Sequence, residues 1–307
     1  MRPLRKRNPL PRNPLLRRVP QMILKLRNKT KPQLDLSGPV PAVFGIVNLT
    51  PDSFSDGGRY PDAGSAVEEA LRMFEAGAAG VDLGAESTRP GAAEVPAEVE
   101  TARLVPVIRG ILERKPDAVI SVDTRKAAPA RASLEAGADI INDVSGLTFD
   151  PAMAATVAEF DGAVVLMHMR GTPQTMRSQA ELMHYENVVT EVADALENLQ
   201  ANAIAAGIRS DAIMLDPGLG FAKTPEQDFA LVREAAYLRQ RLHTPLFYGP
   251  SRKSFLSSLC PGKKAAERDH ATMGILCALA AAGVEVLRVH NVPMAMDCLK
   301  AFSKARG

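Results

Sequence analysis

Hydrophobic and polar residues alternate along this chain in blocks rather than residue by residue. Short apolar runs recur at 43–47, 80–83, 118–122, 140–141, 163–167, 213–215, 246–248 and 286–289. Each is too short for a helix and lacks the every-other-residue alternation of a half-exposed strand. That pattern marks strands buried on both faces, as in a parallel sheet. The segments between them carry helix signals. Val67, Ala70, Leu71 and Phe74 fall at i, i+3, i+4 and i+7 and make one apolar stripe. Thr224, Pro225 and Gln227 match an N-cap, an N1 proline and a capping-box partner. The spacing predicts a helix over 125–136 closed by Gly137, and a long one over 181–206 closed by Gly207. Pro106 is expected to kink the helix around 104–112.

Eight strand–helix alternations favour a closed α/β fold, the (β/α)8 TIM barrel, over an open sheet. An open doubly wound sheet normally shows a glycine fingerprint after its first strand. Here the first run leads instead into Asn48, Leu49, Thr50, Pro51 and Asp52. The 307 residues suit one barrel of about 250 residues plus an extension. The barrel is assigned to residues 41–307. Residues 1–40 are expected to be a basic, disordered extension, because Arg2, Arg5, Lys6, Arg7, Arg12, Arg17 and Arg18 all precede the first acidic residue.

Charge and composition narrow the partners. The net charge of +2 comes from that basic start and says little about the folded body. Trp is absent and aromatics make up 5%, which argues against nucleic acid bound by base stacking. No apolar run reaches the ~18 residues that span a bilayer, so no membrane partner is expected. The start is too rich in Pro and Arg for a secretory signal; an organellar transit peptide, or an upstream start with Met22 as the true one, are the readings left open. Cys260, Cys277 and Cys298 show no ligand spacing and read as reduced core residues of a cytoplasmic enzyme.

Polar residues gather where the runs end, which in such a barrel is the active face. Asn48 follows the first run, and Glu86, Ser87, Thr88 and Arg89 the second. Asp123, Asn142, Asp143, His168 and Asp216 follow in turn, then Ser251, Arg252 and Lys253, and finally Arg288 and His290. One such residue is ordinary loop chemistry, and Arg252, Lys253 or Arg288 alone would read as a surface ion pair. Every end supplying a polar group to one face is harder to read as solvation, since burying such groups costs free energy unless they find partners. Asp123, Asn142, Asp216 and Lys253 suit a flat, nitrogen-rich heterocycle. Arg252, Arg288, His290 and Asn48 suit phosphate oxygens and Mg2+.

These residues lie in eight ordered strings: GIVNLTPDSFSDGG at 45–58, DLGAESTRPG at 82–91, SVDT at 121–124, INDVSG at 141–146, MHMRGTP at 167–173, LDPGLGF at 215–221, SRKSF at 251–255 and RVH at 288–290. Together they resemble the dihydropteroate synthase family over about residues 42–302. The resemblance implies condensation of a dihydropterin methyl diphosphate with 4-aminobenzoate. It implies a pterin pocket of Asp123, Asn142, Asp216 and Lys253. It implies a diphosphate site of Asn48, Arg288, His290 and Arg252, with Asn48 holding Mg2+. Phe54, Thr88, Pro90, Phe221 and Ser254 would contact aminobenzoate, and Asp56, Arg89 and Lys253 would serve catalysis. Loops over 50–60 and 86–94 would close on the substrates, and a homodimer through the late helices is expected. No His or Glu in the matched loops stands out as a base for the amine, which favours diphosphate departure ahead of attack. Ala85, Ala222, Pro250 and Asn291 depart from the usual pattern. The alternatives are a pterin-dependent methyltransferase and a non-catalytic pterin-binding paralogue.

Overall fold

The computed structural model describes residues 22–27, 30–31, 33–50, 63–88, 91–176 and 178–306. The apolar runs become strands β3 (Ala42–Asn48), β4 (Gly80–Gly84), β5 (Ile120–Asp123), β6 (Ile140–Asp143), β7 (Ala163–Met167), β8 (Ile213–Asp216), β9 (Phe247–Tyr248) and β10 (Val286–Val289). They pair in parallel in the order β8-β7-β6-β5-β4-β3-β10-β9. A parallel bridge from Leu215 to Leu246 joins the two ends, with the Leu215 amide donating to the Pro245 carbonyl at 3.0 Å. The sheet is thereby closed, as a (β/α)8 barrel requires.

Helices cover the barrel. They are α1 (Ala63–Glu75), α2 (Ala97–Arg114), α3 (Ala127–Ala136), α4 (Met153–Glu159), α5 (Val188–Ala205), α6 (Pro225–Arg233), α7 (Ala235–Leu242), α8 (Asp269–Ala282) and α9 (Val292–Arg306). The stripe on α1 faces inward, with Val67 and Ala70 buried. The Thr224 capping box forms, and Gly137 ends α3 in the left-handed region at φ 112. Three boundaries differ from the pattern. Helix α2 starts at Ala97 and runs on through Pro106 to Arg114. Helix α3 starts at Ala127, because Arg125 and Lys126 are drawn into buried ion pairs instead. Helix α5 starts only at Val188, because the Asn187 side chain accepts from the Val189 and Thr190 amides and fixes the N-terminus there.

The expected extension over 1–40 is corrected in its second half. Strands β1 (Ile23–Lys25) and β2 (Gln33–Asp35) form an antiparallel hairpin. Its Leu24, Leu26, Leu34 and Leu36 cluster with Phe44, Ile140, Val165, Met214, Phe247 and Val286, so the hairpin plugs the end of the barrel where the strands begin. The Arg27 guanidinium adds hydrogen bonds to the Leu134 and Ala138 carbonyls. Burying a leucine is worth about 1.5–3 kcal/mol, so the four together offset much of the entropy lost in ordering the hairpin. The basic residues 1–21 lie outside the described residues.

Candidate active site

At the strands' C-terminal ends, polar side chains interlock across the barrel. Asp82 in β4 is fully buried. One of its oxygens accepts from Ser121 Oγ of β5; the other accepts from Asn142 Nδ2 of β6 at 3.1 Å and from Arg288 Nε of β10. Arg288 Nη2 then donates to Asp123 of β5 at 3.0 Å. Arg288 therefore bridges two carboxylates, and four strands share one network. Burial is the largest influence on Asp123 and lifts its carboxyl to about 7, against the pull of Arg288. Asn48 Oδ1 and the Asp123 carboxylate meet at Gly84: a β-carbon there would sit 3.8 Å from the first and 3.9 Å from Asp123 Oδ2, ordinary contact distances, so the two oxygens flank one shallow notch.

A second group is built on β8. The Asp216 carboxylate accepts from the Gly218 amide at 2.7 Å. Its pKa is raised by burial, opposed by Lys253. Lys253 donates to the Leu219 carbonyl and lies 4.4 Å from the centroid of the Phe221 ring, a cation–π arrangement. Burial pulls the Lys253 ammonium down to about 8, against Asp216 and Asp228. Phe221 packs with Val144, Met167, Met176 and Ala222, which makes an apolar wall beside these charges. The loop is held from beneath by Lys223, fully buried, which meets His168 Nδ1, Gly218 O and Phe221 O, each at 3.0 Å. Burial keeps His168 well below the usual histidine range, so its neutral ring accepts from Lys223. Gly218, at φ 71, is forced: a β-carbon there would sit 2.0 Å from the His168 carbonyl oxygen.

The third group follows β9 and β10. Ser251 Oγ lies 2.9 Å from His290 Nδ1 and accepts from the His290 amide at 3.2 Å. Arg252 pairs with Asp269 on α8. Its Nε and Nη2 donate to the two oxygens of Asp269 at 2.7 and 2.8 Å, and Asn291 Nδ2 donates to the same carboxylate. The backbone at Arg252 sits at φ 61, a conformation this bidentate pair helps to hold.

A closed parallel barrel with charges at one mouth occurs in many enzymes, so relatives decide among them. Residues 44–290 match the sequence pattern of the pterin binding enzyme family. The chain belongs to that family. A dihydropteroate synthase of Synechocystis sp. is 42% identical over 257 residues, 83% of this chain and 87% of that protein. Among solved structures, the fold is similar to Xanthomonas albilineans dihydropteroate synthase with 4-aminobenzoic acid, at TM-score 0.84 and 36% identity over 94% of this chain and 99% of the other. It is also similar to the dihydropteroate synthase from Xanthomonas albilineans in complex with 7,8-dihydropteroate, at TM-score 0.80 and 33% identity, covering 92% of this chain and 99% of the other.

Set against the family pattern, Asp123, Asn142, Asp216, Lys253 and Arg288 converge on one mouth, with Asn48 at its edge and Phe221 in its wall. His290 stands on the neighbouring strand end. Arg252 pairs with Asp269, and Ser254 is exposed at the head of a short helical turn (Ser254–Ser258). Thr88 is the last described residue before a gap, and Phe54, Asp56, Arg89 and Pro90 lie outside the described residues. Sequence reasoning passed over Asp82, Ser121 and Lys223. Asp82 carried a signal: a carboxylate inside a run read as buried on both faces needs a partner. Lys223 carried none, since one lysine after a glycine-rich loop looks solvent-exposed.

Proposed function

We propose that this pterin-binding enzyme is a dihydropteroate synthase, joining a dihydropterin methyl diphosphate to 4-aminobenzoate with release of diphosphate. The observation that carries the reading at the site is the gathering of Asp123, Asn142, Asp216 and Lys253 at one mouth, beside the Phe221 wall. A pterin presents ring N–H donors along one edge, and the two carboxylates supply acceptors for them. Lys253 and Asn142 can donate to the ring's acceptors, and the apolar wall covers its face. Arg288 already joins Asp82 to Asp123; with His290 it offers N–H donors at the rim where the diphosphate would leave.

Among the described residues no three His, Cys, Asp or Glu side chains gather to hold a metal ion. The notch at Gly84 offers the single neutral oxygen of Asn48 beside Asp123. That donor set fits Mg2+, which commonly binds through one or two protein oxygens and substrate phosphates. When bound, the ion would neutralise charge on the departing diphosphate. The chain's own residues would hold both substrates in line, which can supply roughly 7–11 kcal/mol of the barrier. In the described part of the mouth the ionisable groups are already paired, so a free base for the amine is missing there, and departure of diphosphate ahead of attack is favoured. Cytoplasmic placement and a homodimer through the late helices belong to the same reading; the free cysteines Cys260, Cys277 and Cys298 suit a reducing compartment.

The reading predicts that Asp216→Ala loses pterin binding. Removing one side of a buried charged contact costs about 2–5 kcal/mol. Calorimetric titration of the folded variant with the pterin diphosphate is expected to show that loss. Unchanged affinity would overturn the placement of the pterin.

A further inference from the structure

Outside the mouth, a second set of buried charges sits under the loop that follows β4. Lys126 is 10% exposed at its side chain, Glu86 8% and Glu100 1%. The Lys126 ammonium donates to Glu86 Oε2 at 2.5 Å, to Glu100 Oε1 at 2.6 Å and to the Val95 carbonyl at 2.6 Å. Glu86 Oε2 in turn accepts from the Val95 amide at 2.8 Å. Both backbone groups of Val95 are thus tied, through Glu86 and Lys126, to the strand end nine residues earlier. Arg125 adds a further pair to Glu86, and its guanidinium stacks 3.9 Å from the Phe149 centroid. The knot also reaches the pterin side. Thr124 Oγ1 donates to Glu100 at 2.9 Å, and Thr124 directly follows Asp123.

A buried cluster of this kind is a poor way to gain stability, because desolvating its ions offsets most of their attraction. Its geometry has a more specific consequence. It ties the stem of the 86–95 loop at Glu86 to the stem at Val95, and Glu94 adds longer pairs to Arg125 and Lys126 at 3.7 Å. Thr88, which the family resemblance sets against aminobenzoate, lies between those stems. We infer that Lys126, with Glu86 and Glu100, is a positioning group. It fixes the stems of this loop relative to the Asp123 strand end and so governs recognition of the aromatic amine without touching either substrate. The inference rests on the synthase reading and concerns only one of its two substrates.

The test uses the full chain with Lys126→Met, Lys126→Arg and Glu86→Gln. Steady-state rates are measured with 4-aminobenzoate varied at saturating pterin diphosphate and Mg2+, and pterin affinity is measured separately by calorimetry. Misplacing a substrate contact by about an ångström can cost up to on the order of a hundredfold. Lys126→Met is expected to raise the KM for aminobenzoate by on the order of tenfold or more on that scale, with pterin affinity unchanged. Lys126→Arg, which keeps the charge, is expected to recover most of the loss. Glu86→Gln keeps the volume and an acceptor for Val95, so it provides a milder rise in the same direction if Lys126→Met fails to fold. A wild-type aminobenzoate KM in either folded variant overturns the inference. So does an equal loss for both substrates, which would mark general loosening. If the unmodified protein itself releases no diphosphate, the synthase reading fails instead.

Discussion

The Lys253 ammonium lies between the Phe221 ring and Asp216, and burial brings its pKa down to about 8. The folded protein therefore holds fewer protons here than the unfolded chain between about 8 and the ordinary lysine value of 10.5. Two opposite consequences follow from that sign. Stability contributed by this group rises as pH climbs through the window, because unfolding then takes up a proton. Activity falls over the same range if the cation binds substrate. The kcat/KM for the pterin substrate is expected to decline above about pH 8, and Lys253→Arg is expected to move that limb to higher pH. A profile flat through pH 9 would contradict the assignment. Legibility at this scale was uneven. Asp123, Asn142, Asp216 and Lys253 could be read from the chain because each closes or follows an apolar run. The partner of Arg252 could not be read, because Asp269 lies on α8, where no local pattern reveals it. Ala222, fully buried at φ 49, stands where the family usually has glycine, and the left-handed backbone gives the physical reason for that glycine.

Among the elements, the hairpin of β1 and β2 is the part that pattern reading lost. Leu24 and Leu26, like Leu34 and Leu36, alternate with polar residues at the spacing of a one-sided strand, but four-residue signals drown beside a basic, proline-rich start. Only the closed barrel supplies the apolar floor that makes them cohere. Leu24, at 0% exposure, is central to that floor. Leu24→Ala is expected to cost about 2–5 kcal/mol of stability, measured by urea unfolding. A chain beginning at Met22 keeps the hairpin whole and is expected to keep its turnover number and midpoint. A chain beginning at Ser37 removes both strands and is expected to melt at a markedly lower temperature. Equal midpoints for the two truncations would show that the hairpin is ornamental. Boundaries elsewhere failed for nameable reasons. The start of α5 was misplaced because Asn187 is a stronger start signal than the apolar pattern before it, whereas the Thr224 box was legible because both partners lie within one turn.

Across the whole molecule, the barrel was legible because burial on both faces writes itself as short apolar runs, eight times over, with polar residues at one end of each. What the runs could not convey was the wiring between ends. Arg288 and Asp82 are separated by 206 residues and meet only after the sheet closes. That closure turns scattered loop residues into one mouth, where carboxylates and cations are interleaved. The claim that this mouth joins two substrates is tested most directly by following both products at once. Purified protein is mixed with the dihydropterin methyl diphosphate, 4-aminobenzoate and Mg2+, and dihydropteroate and diphosphate are quantified over time, with each substrate omitted in turn. The account predicts that the two products appear in equal amounts when both substrates are present, that dihydropteroate does not form when either is missing, and that diphosphate release slows sharply without aminobenzoate. Pterin binding without either product, or diphosphate released at the same rate without aminobenzoate, would contradict it.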